Sequence, residues 1–366
     1  MHDHRPSVRR FVAVLAALLI GGGAIARAPG AGSSWNFAVS GDSRNCGDVV
    51  MPSIAAAARE QNAAFYWHLG DLRAIYDFDE DFRTLHPKAT ISEYLATAWI
   101  DFERSQIEPF GTMPFFVGIG NHETIYPKTR EQYLVTFADW LDAPPIREQR
   151  LRDDPHDHAV RTYYHWIRDG IDFVNLDNAT QDQFDAAQLA WLERILKSDH
   201  DDAGVRAVVV GMHEALPDSL AHGHSMNDVP DMEAAGRRVY EDLLALRAAK
   251  PVYVLASHSH FVMENVFDSD YWRQHGGVLP GWIIGTGGAV RYPLPPGDGR
   301  AASGRATLAR TRVYGFLLAT VSPPAAGDRD PIHFEFKEVT EASVPAAVAQ
   351  RFPPELLSFC YRENAR

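Results

Sequence analysis

Cysteine is nearly absent. The chain of 366 residues holds two, Cys46 and Cys360, too few for a disulfide scaffold or a four-cysteine zinc site. Positive charge is also short: Lys and Arg total 35 against 48 Asp and Glu, a net −13. That balance argues against general nucleic-acid binding, because phosphate backbones call for an excess of cations. No repeat, heptad or low-complexity tract is present, and no apolar run reaches the roughly 20 residues of a membrane helix. With 46% hydrophobic and 23% charged residues, the composition excludes a disordered or collagen-like chain.

The N-terminal residues read as an address. Arg9-Arg10 precedes an apolar stretch, Phe11 to Ile20, followed by Gly21-Gly22-Gly23 and small residues up to Ala28. A basic start, a short apolar core and an A-x-A ending predict a secretory signal over 1–28. The expectation is an exported protein, periplasmic or extracellular, with no membrane span after signal removal. In an oxidising compartment Cys46 and Cys360 would form one bridge from the C-terminal tail to an early loop, or stand as two unrelated thiols. At about 150 residues per domain the length fits two domains or one large one. No linker separates two cores, so 29–366 is expected to form a single domain.

What does recur is a short apolar run that stops at Gly or a small residue and is followed by a metal-binding side chain. Phe37 to Ser40 leads to Gly41-Asp42, and Phe65 to Leu69 leads to Gly70-Asp71. Pro114 to Ile119 leads to Gly120-Asn121-His122-Glu123, Val208 to Met212 to His213, and Val252 to Ser257 to His258-Ser259-His260. Continuous apolar runs of this length suit strands buried on both faces. Helical stretches such as 52–61 and 183–196 lie between them, which indicates an α/β domain. Later strands are predicted at 281–284, 314–321 and 332–339. Ligands collect at the carboxyl ends of strands in open α/β sheets, so these ends read as one active site.

Asp42, Asp71, Asn121, His213, His258 and His260 offer oxygen and imidazole without thiolate. That set suits divalent or trivalent iron, manganese or zinc. Two ions about 3.5–4 Å apart, bridged by a carboxylate, would orient a phosphoryl oxygen and activate water for in-line displacement.

In this order the motifs resemble the calcineurin-like metallophosphoesterase superfamily, which includes the purple acid phosphatases. The resemblance implies a four-layer α/β/β/α sandwich of two mixed β-sheets flanked by helices, and a small phosphate-ester substrate. It also implies roles: Asp71 bridging two metal ions, Asp42 and His260 on the first, Asn121, His213 and His258 on the second. His122 would be the general acid, with Glu123 orienting it. One departure is clear. Most members have Asp-x-His in the first motif, where this chain has Asp42-Ser43-Arg44, and the Tyr that purple acid phosphatases place three residues after the bridging Asp is here Ala74. Arg44 stays protonated and is no ordinary ligand. Its fork would grip a substrate phosphate or pair with a carboxylate such as Asp48.

Other residues carry two readings each. His224, in a polar loop with His222, would line the substrate pocket or be solvated. His68 is expected as a hydrogen-bonded inner residue, and Tyr94, Trp99 and Phe102 as the packed face of a helix. Gly41-Asp42-Ser43 also resembles the start of a GDSL-type esterase, with Ser43 as nucleophile and Asp330 and His333 completing a triad. A third possibility is a weakened domain that binds phosphate esters without turnover.

Overall fold

The computed structural model describes residues 33–180, 184–221, 224–227, 229–295, 308–323 and 330–366. The expected signal at 1–28, together with Gln183 and His222, lies outside them. Twelve strands are present among the described residues: β1 (Trp35–Ser40), β2 (Ala63–His68), β3 (Phe115–Val117), β4 (Tyr164–Arg168), β5 (Ile171–Asn175), β6 (Ala207–Gly211), β7 (Val252–Ala256), β8 (Val262–Glu264), β9 (Gly281–Ile284), β10 (Ala309–Arg310), β11 (Tyr314–Val321) and β12 (Ile332–Val339). They form two mixed sheets, in the orders β12-β11-β1-β2-β3 and β10-β8-β9-β7-β6-β5-β4. The pairs β1–β2, β2–β3, β5–β6, β6–β7 and β7–β9 are parallel, and β1–β11, β11–β12, β4–β5, β8–β9 and β8–β10 are antiparallel.

The apolar runs are continuous because both faces of each central strand are covered. Ala207 and Val209 of β6, with Tyr253 and Leu255 of β7, face the core between the sheets. Val208, Val210, Val252 and Val254 face the outer helices instead. This is the two-residue alternation of a strand, with apolar partners on each side. Aromatic rings fill the inter-sheet space: Phe37 and Phe65 each sit edge-on to Phe173 at 5.1 Å, and Phe116 stacks on Trp166 at 4.0 Å. Buried aromatic pairs add roughly 0.5–1.5 kcal/mol beyond their area. Helix Gly47–Glu60 closes the first sheet through Val49, Val50, Met51 and Ile54. Helices Ala186–Asp201 and Pro230–Arg247 close the second through Leu192, Ile195, Val239 and Leu243. No helix among the described residues is long and apolar enough to cross a membrane.

Strands β9, β11 and β12 fall on the ranges expected for them. The first helix does not: it begins five residues before Pro52, which lies inside it. Proline favours a first turn, but here Cys46 and Asp48 anchor the earlier turn. Asp48 accepts from Arg73 at 2.7 Å and from Gln106 at 3.0 Å. The later helix starts at Ala186, because the Asp185 side chain accepts the Gln188 N–H at 2.8 Å and caps it. Tyr94, Trp99 and Phe102 lie buried on helix Ile91–Phe102. Cys46 and Cys360 are bonded, closing a loop of sequence separation 314.

A cross-link over so long a loop restricts the unfolded chain strongly. Cys360→Ser should lower stability by about 2–5 kcal/mol, read by urea unfolding; an unchanged midpoint would show that the bridge adds nothing.

Candidate metal centre

Five loops leave strands β1, β2, β3, β6 and β7 and meet at one end of the sandwich, bringing Asp42, Asp71, Asn121, His213 and His258 two to four residues past their strands. The turns are tight. Asp42, Asp71 and His258 have φ of 58°, 60° and 62°, a region non-glycine residues avoid at a cost of roughly 1–3 kcal/mol each. Hydrogen bonds across the loops hold them there: Asp42 N–H donates to Gly70 O at 3.0 Å, Ser43 N–H to Asp71 O at 3.0 Å and Ser257 N–H to His213 O at 2.9 Å. Gly120 is required by close approach, since a Cβ would sit 2.2 Å from Asp71 Oδ1.

Asp71, His213 and His258 form a group able to hold a metal ion, with donor atoms all within 4.8 Å of one another. His213 Nδ1 lies 3.0 Å from Leu69 O, to which it donates, and this leaves a lone pair on Nε2. Around that Nε2 stand Asn121 Oδ1 at 3.0 Å, His258 Nδ1 at 3.1 Å and Asp71 Oδ1 at 3.3 Å. Donors about 2.1 Å from a shared tetrahedral ion would be about 3.4 Å apart, so the crowding matches a cation cage. Asp42 and His260 stand beside it, Asp42 Oδ1 lying 3.2 Å from His260 Nε2. Asp42 Oδ1 and Asp71 Oδ2 are buried and accept no hydrogen bond, the state in which a carboxylate oxygen attracts a cation.

The electrostatics agree. Burial pushes the Asp42 carboxyl up, but His260, His213 and His258 outweigh it and hold it below the usual range. Burial also raises Asp71, which His122 and His213 bring down. His258 is lowered to about 3, first by burial and then by His213, and burial with Arg44 lowers His260. Neutral imidazoles and ionised carboxylates are the forms that bind metals. For His213, burial lowers the pKa and the Asp71 charge more than restores it, so this spot draws positive charge.

His122 and Glu123 follow Asn121 in a short 3-10 turn. His122 Nδ1–H donates to Ala74 O at 2.6 Å, and Nε2 lies 3.5 Å from Asp71 Oδ2. Glu123 therefore does not orient the His122 ring, contrary to expectation. Its carboxylate instead accepts three backbone N–H groups, from Gly120 at 2.7 Å and from Asp71 and Leu72 at 2.9 Å. The turn points it inward, toward the loop that carries Asp71.

Arg44 does not pair with Asp48. Its Nη2–H donates to His260 Nε2 at 3.1 Å, its Nη1–H to the Tyr76 hydroxyl at 3.3 Å, and its Nε lies 3.6 Å from Asp71 Oδ2. The His224 ring is 5.5 Å from that of His258 and 5.0 Å from that of Tyr292. Tyr292 also stacks on His260 at 4.0 Å, and neither Tyr292 nor Ser257, whose hydroxyl reaches His213 Nδ1 at 3.1 Å, has a spacing signal in the sequence. Ser43 is wholly buried. His68 Nδ1 accepts the Gly70 N–H at 3.2 Å, so its proton sits on Nε2 and points to the Ser43 hydroxyl at 3.0 Å. An acyl nucleophile needs an accessible hydroxyl beside a base that takes its proton. The intended partner His333 is exposed on β12 instead, so the geometry gives the esterase reading no support.

Among solved structures, the chain superposes on a purple acid phosphatase isolated from yellow lupin (Lupinus luteus) seeds at 17% identity and a TM-score of 0.50, covering 84% of this chain and 52% of that one. PhoD superposes at 14% identity and a TM-score of 0.50, covering 86% of this chain and 73% of that one. The chain shares the fold of these two solved structures. The chain spans about half the length of the lupin protein. No family model and no curated relative matches the sequence.

Within this fold Glu123 ties the loop after β2 to the turn after β3. Glu123→Ala strips three buried N–H groups of their acceptor and should cost about 3 kcal/mol or more, measured by denaturant unfolding. A loss below about 1 kcal/mol would show that water replaces the carboxylate.

Proposed function

We propose that this chain is an exported, metal-dependent phosphoric-ester hydrolase acting on small phosphate esters. The observation that carries this reading is the convergence of donor atoms from Asp71, Asn121 and His258 around His213 Nε2. A cation among them would replace the water that burial has stripped from these donor atoms. These four residues would hold one ion, and Asp42, Asp71 and His260 are the remaining candidates for a second. A divalent ion so placed supplies Lewis-acid polarisation of a phosphoryl oxygen and lowers the pKa of water. The Cys46–Cys360 bond supports export, since such bonds persist in oxidising compartments.

The protein's own groups divide the remaining work. Asp71 touches the four-donor cage through Oδ1 and faces Arg44 and His122 through Oδ2, so it links the two halves of the site. His122 is held by the Ala74 carbonyl so that Nε2 faces the site, the position from which an imidazolium can protonate a departing alkoxide. Glu123 positions the Asp71 loop. Arg44 and His224 flank the histidines and are proposed to meet the substrate.

Dialysis against a chelator should abolish hydrolysis of p-nitrophenyl phosphate, and manganese, zinc or iron should restore it in the wild type but not in Asp71→Asn. Full activity in metal-free protein would overturn the reading. His122→Ala should lose about 10²–10⁴-fold on an alkyl phosphate and far less on p-nitrophenyl phosphate, whose leaving group needs no proton. An equal loss on both would remove His122 from the role of acid.

A further inference from the structure

The donor set on the Asp42 side differs in one respect from that around His213: a protein cation already occupies it. His260 Nδ1–H donates to Val290 O at 2.6 Å, so the ring's lone pair is on Nε2. That lone pair accepts Arg44 Nη2–H at 3.1 Å. The same guanidinium places Nε 3.6 Å from Asp71 Oδ2 and donates through Nη1 to Tyr76. Arg44 is 6% exposed, so solvent does not separate it from these partners. Asp42 Oδ1, 3.2 Å from His260 Nε2, shares the same small space.

A guanidinium cannot release its proton to become a ligand, and it is the cation best suited to a buried carboxylate neighbourhood. Any ion coordinated by His260 Nε2 and Asp71 Oδ2 would have to displace it, giving up its hydrogen bond and placing two positive charges side by side. Around His213 Nε2, by contrast, the polar neighbours are Asn121, His258 and Asp71, and no arginine among the described residues is recorded in contact with it.

We infer that this chain binds a single metal ion, in the Asp71, Asn121, His213 and His258 cage, and that the Arg44 guanidinium takes the place of the other ion. The inference rests on the metal-dependent reading above and deepens it. It also assigns Arg44 a use: a fixed positive charge on the Asp71 Oδ2 side of the centre, aimed at the same phosphoryl group that the ion would polarise.

The test counts ions rather than turnover. Apo-protein is titrated with manganese by calorimetry, and the loaded protein is measured by elemental analysis and by electron paramagnetic resonance. Wild type should take one equivalent and give the six-line spectrum of an isolated ion. Asn121→Ala should lose it. Arg44→His, which restores a ligand and removes the charge, should take two equivalents and give an exchange-coupled spectrum, and Arg44→Lys should stay at one. Two equivalents with a coupled spectrum in wild type would overturn the inference and leave metal-dependent hydrolysis standing. One equivalent in wild type, Arg44→His and Arg44→Ala alike would overturn the assignment of the exclusion to Arg44. No metal and no hydrolysis in wild type would overturn the underlying reading, and the inference with it.

Discussion

Two carboxylates, Asp42 and Asp71, are fully buried with one oxygen each left without a hydrogen bond. Desolvated negative charge of this kind is tolerated only where positive charge stands close by. Every other feature of the centre serves that constraint. The ring nitrogens of His213, His258 and His260 and the guanidinium of Arg44 surround the pair, and the loops that deliver them adopt left-handed turns at Asp42, Asp71 and His258. Strain of that sort persists when the surroundings over-determine it. The surroundings here are two sheets whose strands end at one level, stitched loop to loop by backbone hydrogen bonds.

The sandwich makes this possible because it is stiff. Strands covered on both faces cannot slide by one residue without moving their apolar sets out of the core, so each strand end, and the ligand just beyond it, stays in register. The aromatic layer of Phe37, Phe65, Phe116, Trp166 and Phe173 fixes one sheet against the other. A shift of either sheet would separate Asp42 and Asp71, from the first, from His213 and His258, from the second.

Much of this was legible in the sequence, and for a physical reason. A buried strand followed by Gly-Asp, Gly-Asn-His or His-x-His writes the fold and the ligand types into the same few residues, so Asp71 and His213 could be named before their distance was known. What could not be read came from contacts across the chain. Tyr292 stacks on His260 from a loop with no periodicity. Glu123 turns to backbone N–H groups instead of His122, because the choice depends on which way a single 3-10 turn faces. Arg44 was recognisable as a departure from Asp-x-His, but only the coordinates bring its guanidinium to His260 and Asp71. Pro52 misled because tertiary anchoring of Asp48 outweighs a local preference for the first turn.

The far wall of the centre is built from residues distant in sequence. The Asn364 side-chain amide donates to Gly288 O at 3.2 Å and to Tyr314 OH at 2.8 Å, and its backbone carbonyl accepts Arg291 Nε–H at 2.9 Å. Arg291 directly precedes Tyr292, the ring that lies on His260. Asn364 stands 318 residues beyond Cys46, so all six candidate ligands precede in sequence the brace behind them. A chain cut before that residue keeps the ligands and loses the contacts that hold the Arg291 backbone and guanidinium in place.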